Sequence, residues 1–242
     1  MLRTLFAYLL VVFFFIISIP CLIIFWLIGK ISMNARDTLT YGMMRMAFSI
    51  ILFVCGVKME VNGVENIPTD TPVLYVGNHR SYVDIIVGYR YIPGKTGFIA
   101  KKEFLKVPVL SHWIAILHGL FLDRKDIKAG LKTVLEAIEH IKNDKLSYFI
   151  FPEGTRNKEK EMMPFKEGSM KIATKSGCPI VPVALTGTAE ILEKNKYLIK
   201  PGKVSISFGE PIYTDKLDKE ESKFLGAKVR DIIKEMMDKV SE

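Results

Sequence analysis

No charged side chain stands between Arg3 and Lys30, where the chain reads TLFAYLLVVFFFIISIPCLIIFWLIG. About 20 apolar residues cross a bilayer core as helix, so this run is long enough to enter one. It also lacks the short apolar core followed by an A-x-A site of a cleaved secretory signal, and it reads as a retained segment. Cysteine is scarce: Cys21, Cys55 and Cys178 occur without any C-x-x-C pair. That argues against a disulfide framework or a zinc site, fits a reducing compartment, and leaves no metal requirement evident. No G-x-S-x-G elbow is present, which argues against a covalent serine intermediate. Internal repeats and low-complexity linkers are missing too. So is any basic run interleaved with aromatics, and nucleic acid finds no support as a partner.

What is present is unevenly distributed. Hydrophobic residues make up 49% of the 242 residues, and the mean hydropathy is +0.22. The first 55 residues carry only Arg3, Lys30, Arg36, Asp37 and Arg45 as charges, a net +3 out of the chain's +8, which leaves +5 for the rest. A basic excess beside an apolar segment favours anionic lipid surfaces or anionic substrates. Pro20 removes a helical donor mid-run, so a straight crossing and a bent insertion both remain open. A second apolar stretch, YGMMRMAFSIILFVCG (41–56), is either the return arm of a hairpin dipping into one leaflet or an ordinary core helix.

From Val57 onward, strand and helix signals alternate. VKMEVNG has period two, TPVLYVGN is a short apolar run, and KTGFIA, HGLFLDR, LSYFIF, PIVPVAL and KVSISFG read as further strands. Between them, YVDIIVGYRYI, DIKAGLKTVLEAIEHIKND and FKEGSMKIATKSG read as helices. Asp126 is a plausible N-cap of the second, whose Ile127, Leu131, Val134, Leu135, Ile138 and Ile141 share a face. A closing helix over 218–240 is expected to bury Phe224, Leu225, Val229, Ile232, Ile233, Met236 and Met237. This order predicts an α/β fold with a mostly parallel sheet flanked by helices. The simplest division is a two-helix membrane-binding segment, 1–56, and an α/β domain, 57–242.

In a parallel sheet, functional groups gather beyond the carboxyl ends of strands. PVLYVGN followed by HRSYVDIIV puts His79 in such a loop and Asp84 in the first turn of the next helix. A hydrogen bond between them is then feasible, and it would fix the imidazole tautomer and leave one ring nitrogen able to take a proton. Each residue also has a plain reading. Ser81 and Asp84 form a capping-box pattern, Asn78 suits a turn, and His79 can be an exposed loop residue. A second strand-to-loop junction, YFIFPEGTRN, brings Glu153, Gly154, Thr155 and Arg156. Glycine permits close backbone approach to a ligand, and arginine offers a planar fork for phosphate.

Together, N-H-x-x-x-x-D and F-P-E-G-T-R, in this order and about seventy residues apart, resemble the glycerolipid acyltransferase family, most nearly its bacterial members acting on 1-acyl-sn-glycerol 3-phosphate. The resemblance runs roughly from residue 57 to 211 and takes in AKKEF (100–104), GLFLDR (119–124) and IVPVAL (180–185), whereas LSHWIAILH (110–118) is left unmatched and acyl-pocket residues there stay unassigned. It implies transfer of a fatty acyl group from a thioester, acyl-CoA or acyl carrier protein, to the sn-2 hydroxyl of lysophosphatidate, giving phosphatidate. No cofactor beyond that donor is implied. On this reading His79 is the general base and Asp84 orients it. Arg124 and Arg156 clamp the acceptor phosphate, with Lys101 or Lys102 assisting. Glu153 and Gly154 position the glycerol, with Thr155 in the same binding turn. Arg124 can instead pair with Asp123 or Asp126, and the lysines can be solvated charge pairs. Rival readings are a sibling reaction on glycerol 3-phosphate, lyso-ornithine lipid or another lysophospholipid, a lipid thioesterase, and a non-enzymatic membrane module. Location at the cell membrane with a cytoplasmic catalytic face is expected, because acyl thioesters are cytoplasmic and Lys30, Arg36 and Arg45 follow the first segment.

Overall fold

The computed structural model describes residues 1–159 and 161–241. Seven strands form one sheet in the order β1-β7-β6-β2-β5-β3-β4. They are β1 Val57–Asn62, β2 Leu74–Gly77, β3 Thr96–Lys101, β4 Leu120–Leu122, β5 Ser147–Ile150, β6 Ile180–Thr186 and β7 Gly202–Phe208. All neighbours pair in parallel except β6 and β7, so β1 and β7 run opposite to the other five. The sheet is mostly parallel, as the alternation of elements predicted. Its central strands are covered on both faces, which is why TPVLYVGN and PIVPVAL are unbroken apolar runs: Leu74, Val76, Ile180 and Val183 are fully buried.

Two long helices cover one face. α1, Leu2–Ile31, and α2, Met33–Cys55, are joined by Ser32, whose hydroxyl caps α2 by accepting from the Ala35 amide. α1 continues through Pro20. α2 starts eight residues before the apolar stretch that marks it in the sequence. Both are long and apolar enough to cross a membrane. They are also bolted to the sheet. Thr4 accepts from the Ile199 amide just before β7, while Asp37 binds Lys95 just before β3 and His118 just before β4. The hairpin therefore stretches across the strands, and the lengths agree: 23 residues of helix rise about 35 Å, and six strand spacings span about 29 Å. Tyr41, Met44, Leu52 and Cys55 enter the same hydrophobic cluster as Tyr75, Val87 and Phe149. The second apolar stretch is thus a core helix with an apolar outer side left uncovered. The hairpin's inner stripe packs on the sheet, while outer residues such as Phe13, Ile16, Trp26 and Phe53 stay exposed.

The remaining helices are α3 Val83–Tyr91, α4 Leu110–Ile116, α5 Ile127–Glu139, α6 Lys171–Ser176, α7 Thr188–Ile191, α8 Lys219–Lys223 and α9 Leu225–Ser241. Asp126 caps α5 through its carboxylate, which accepts from the Lys128 and Ala129 amides. The inward side of α5, however, is Thr133, Ala137 and then Ile141, while Ile127, Leu131 and Leu135 are exposed. Small side chains let α5 lie close to β4, and the bulkier stripe turns outward. The closing helix also differs from expectation. It breaks at Phe224, so Leu225, Val229 and Ile233 are buried and Phe224 is exposed. α4 occupies the stretch that the family resemblance left unmatched, and its Trp113 is buried between α1 and the sheet, donating to Ser18 Oγ at 2.9 Å.

Candidate active site

The loop after β2 and the loop after β5 emerge from neighbouring strands at the carboxyl edge of the sheet. Asp84 has no exposed surface, and its Oδ2 accepts three hydrogen bonds: from His79 Nδ1 at 2.8 Å, the Arg80 amide at 2.7 Å and the Ser81 amide at 2.7 Å. Its other oxygen is buried without a partner. An acceptor-only carboxylate at Nδ1 places the ring proton there, so Nε2 is the basic nitrogen. Among the described residues Nε2 has no hydrogen-bond partner. The imidazole lies flat on Phe151, with centroids 4.2 Å apart and planes at 19°. Only half of the capping box read from Ser81 and Asp84 forms, because α3 starts after Tyr82, whose side chain does not cap it. Ser81 Oγ accepts from the Val83 amide while Asp84 takes the Ser81 amide. The Ser81 amide and the His79 ring thus share one carboxylate oxygen.

The second loop braces the first. Glu153 Oε1 accepts from the His79 amide at 2.7 Å and Oε2 from the Met163 amide at 3.2 Å. The Asn157 amide donates to the His79 carbonyl at 2.7 Å. Glu153 is 3% exposed, and burial pushes its carboxyl above the ordinary value against the pull of those two donors. Its oxygens are thus occupied by backbone. A buried carboxylate needs donors, and the loop amides supply them. Gly154 turns the chain at φ +77°, with Lys166 lying over the site a Cβ would fill. Thr155 is exposed at the tip of the turn.

Arg156 stacks 3.7 Å above the Tyr82 ring and donates to Glu193 Oε1 at 3.1 Å. It therefore stands on the loop adjoining His79. Arg124, Lys101 and Lys102 lie further along the edge. β4 is three strands from β2, about 14 Å at the usual spacing. No hydrogen bond or ion pair joins these three to the His79 cluster among the described residues. Lys102 pairs with Asp123 at 2.7 Å and Lys101 with Glu103 at 3.0 Å. The Lys102 ammonium holds the Asp123 carboxyl below the ordinary range. Since Asp123 serves Lys102 and Asp126 caps α5, Arg124 pairs with neither, and its guanidinium is left without an ion pair among the described residues.

Three contributors were not legible as such. Asn78, read as a turn residue, is buried and clasps β6 by donating to the Leu185 carbonyl and accepting from its amide. Phe151 supplies the stacking surface. Glu193 lies 37 positions beyond Arg156 in a segment with no motif around it.

A family model described as Acyltransferase matches residues 58–186, more than half of the chain and including both loops. The chain belongs to the acyltransferase family. Among its curated relatives is 1-acyl-sn-glycerol-3-phosphate acyltransferase of Cocos nucifera, 33% identical over 71% of this chain and 55% of that one. The protein of the same name from Borreliella burgdorferi is 32% identical over 81% of this chain and 78% of its own length. The chain spans somewhat over half the length of the first relatives it matches, those from Limnanthes douglasii and Cocos nucifera. The crystal structure of the 1-acyl-sn-glycerophosphate acyltransferase PlsC from Thermotoga maritima superposes with a TM-score of 0.82 at 28% identity, covering 99% of this chain and 95% of that one.

Proposed function

We propose that this protein transfers a fatty acyl group from an acyl thioester to the sn-2 hydroxyl of 1-acyl-glycerol 3-phosphate, forming phosphatidate. One observation carries the reading: an imidazole whose Nδ1 is held by a buried carboxylate and whose Nε2 has no partner among the described residues, one loop away from a stacked arginine. The hydroxyl oxygen attacks the thioester carbonyl carbon while its proton passes to His79 Nε2. The tetrahedral intermediate then expels the thiolate, which takes that proton and leaves as free thiol. Asp84 stabilises the imidazolium formed in between. Such assistance is typically worth about 10²–10⁴ in rate. Direct attack, without an acyl-enzyme, is supported by the state of Ser81. Its hydroxyl is committed to Glu193 Oε2 at 2.5 Å and to the Val83 amide at 2.9 Å.

Arg156 and Arg124 are the groups for the acceptor phosphate, and they favour a phosphorylated acceptor over lyso-ornithine lipid. The glycerol passes close to the Gly154 turn, and acyl-CoA or acyl carrier protein supplies the donor with no metal or further cofactor. The exposed apolar side of the hairpin holds the site at a membrane surface, facing the cytoplasm where thioesters are made.

Purified protein given lysophosphatidate and an acyl thioester should release thiol and form phosphatidate in equal amounts. Thiol without phosphatidate would identify a thioesterase instead, and turnover only with glycerol 3-phosphate or another lysophospholipid would reassign the acceptor. Loss of phosphatidate formation in a folded His79→Ala variant is expected, and retained turnover would reject the base assignment.

A further inference from the structure

We propose that Glu193, which lies outside both motifs, is a positioning residue that locks the histidine loop and the arginine loop into one geometry. Its side chain is 17% exposed, and its two oxygens receive three donors from two separate loops. Oε2 takes Ser81 Oγ at 2.5 Å, while Oε1 takes the Tyr82 amide at 2.8 Å and Arg156 Nη1 at 3.1 Å. The Tyr82 ring lies beneath the same guanidinium. Carboxylate, guanidinium and ring thus close a cycle. Glu193 holds Arg156 from its edge, Tyr82 supports it from its face, and the amide of that tyrosine is fixed by Glu193 in turn. Ser81 and Tyr82 lead directly into the turn bearing Asp84, so the contact that aims Arg156 also sets the start of α3.

The segment carrying Glu193 is itself held. Lys194 and the Asn195 side chain bind back to Glu190, and the Lys200 amide bonds the Ile191 carbonyl. Lys196 and Tyr197 both take positive φ, +52° and +65°, a conformation that side-chain-bearing residues rarely adopt unaided. On its far side the segment is fastened to α1, with Tyr8 donating to the Tyr197 carbonyl at 2.8 Å and the Ile199 amide to Thr4 at 3.0 Å. A carboxylate fixed to the first helix and reaching two loops has the leverage of a strut. A counter-ion for Arg156 alone would need neither the Tyr82 amide nor the Ser81 hydroxyl.

Reach and charge can be separated by two substitutions. Glu193→Gln keeps the length, with Oε1 still able to accept from Tyr82 and Arg156 and the amide nitrogen facing Ser81 Oγ. Glu193→Asp keeps the charge but loses one methylene and cannot span both loops. The kinetic part of the test rests on the acyltransferase reading above. In it, Glu193→Asp raises the KM for lysophosphatidate and lowers kcat/KM roughly 10- to 100-fold, the scale of lost hydrogen bonds to charged groups. Its KM for the acyl thioester stays within about twofold, and Glu193→Gln recovers most of the loss. Amide hydrogen exchange at Tyr82 and Asn157 serves independently of turnover, and it should quicken in Glu193→Asp and stay near wild type in Glu193→Gln. Glu193→Asp performing as well as or better than Glu193→Gln would overturn the proposal, as would unchanged exchange in both. A wild-type protein without acyl transfer but with the expected exchange pattern would instead sink the functional reading and leave the strut standing.

Discussion

Replacing Asp84 by asparagine is the sharpest probe of the imidazole–carboxylate pair. Asparagine is isosteric, and its oxygen at the Oδ2 position can still accept from His79 Nδ1 and the Arg80 and Ser81 amides. Its NH₂ then falls at the Oδ1 position, which is buried and has no partner. An unsatisfied buried donor costs about 1–3 kcal/mol, so the variant should fold with a lowered thermal midpoint. What it cannot do is oppose the positive charge that His79 would acquire as the proposed base. The atoms are 2.8 Å apart, and the two charge centres stand about 4 Å apart. At an effective dielectric of about 20 their attraction is about 4 kcal/mol, equivalent to roughly a thousandfold in rate. With Asp84 fully buried and the His79 side chain 14% exposed, solvent screens little of this. Phosphatidate formation under saturating substrates should therefore fall about 10²–10³-fold in kcat, while KM for the acceptor changes little because Asp84 faces no substrate group. A folded Asp84→Asn variant within about fivefold of wild-type kcat would refute the electrostatic role and leave Asp84 with a structural role alone.

Two further outcomes follow from burial. Phe13 and Ile16 are 59% and 62% exposed on the outer side of α1, so Phe13→Glu with Ile16→Glu should shift the protein to the soluble fraction without altering its circular dichroism; retention through a carbonate wash would place the membrane contact elsewhere. Deleting α1 would be a poorer test, since Phe25, Ala7 and Ser18 are part of the packed interior. Burial raises the Glu153 carboxyl, so between its ordinary and raised values the folded state binds more protons than the unfolded one, and stability falls as pH rises through that window. Glu153→Gln removes this titration, and the stability advantage of wild type over the variant should shrink with rising pH; a gap constant from about pH 4 to about pH 8 would contradict it.

Hydrophobic periodicity made most elements readable, because a strand covered on both faces and a helix half-covered leave different patterns along the chain. It failed where burial is not graded by residue type alone. α5 shows its larger apolar stripe, Ile127, Leu131 and Leu135, to solvent and packs through Thr133 and Ala137. That choice depends on how close the helix axis comes to β4, which no window of α5 encodes. The closing helix breaks at Phe224 for a similarly non-local reason. Glu167, 59 and 60 residues earlier, accepts from the Gly226 and Ala227 amides and so caps the start of α9. Within the site, the histidine–carboxylate spacing and the arginine turn were legible because each lies in one short segment. Their arrangement was not, nor was the hold of Glu153 on the His79 amide.

By itself the amino-acid order determined the segments: where the apolar hairpin lies, which runs are strands, and that His79 and Asp84 are near enough in chain and geometry to bond. Those are properties of consecutive residues, governed by local backbone geometry and side-chain spacing. Tertiary structure alone decided that β7 enters the sheet reversed, that α1 and α2 cross its face, and that Glu193 meets both loops. Each of these unites residues a hundred or so positions apart or sets one element's direction against another's. They follow from the packing of the whole chain, where closure of the core selects among partners that local sequence leaves equivalent.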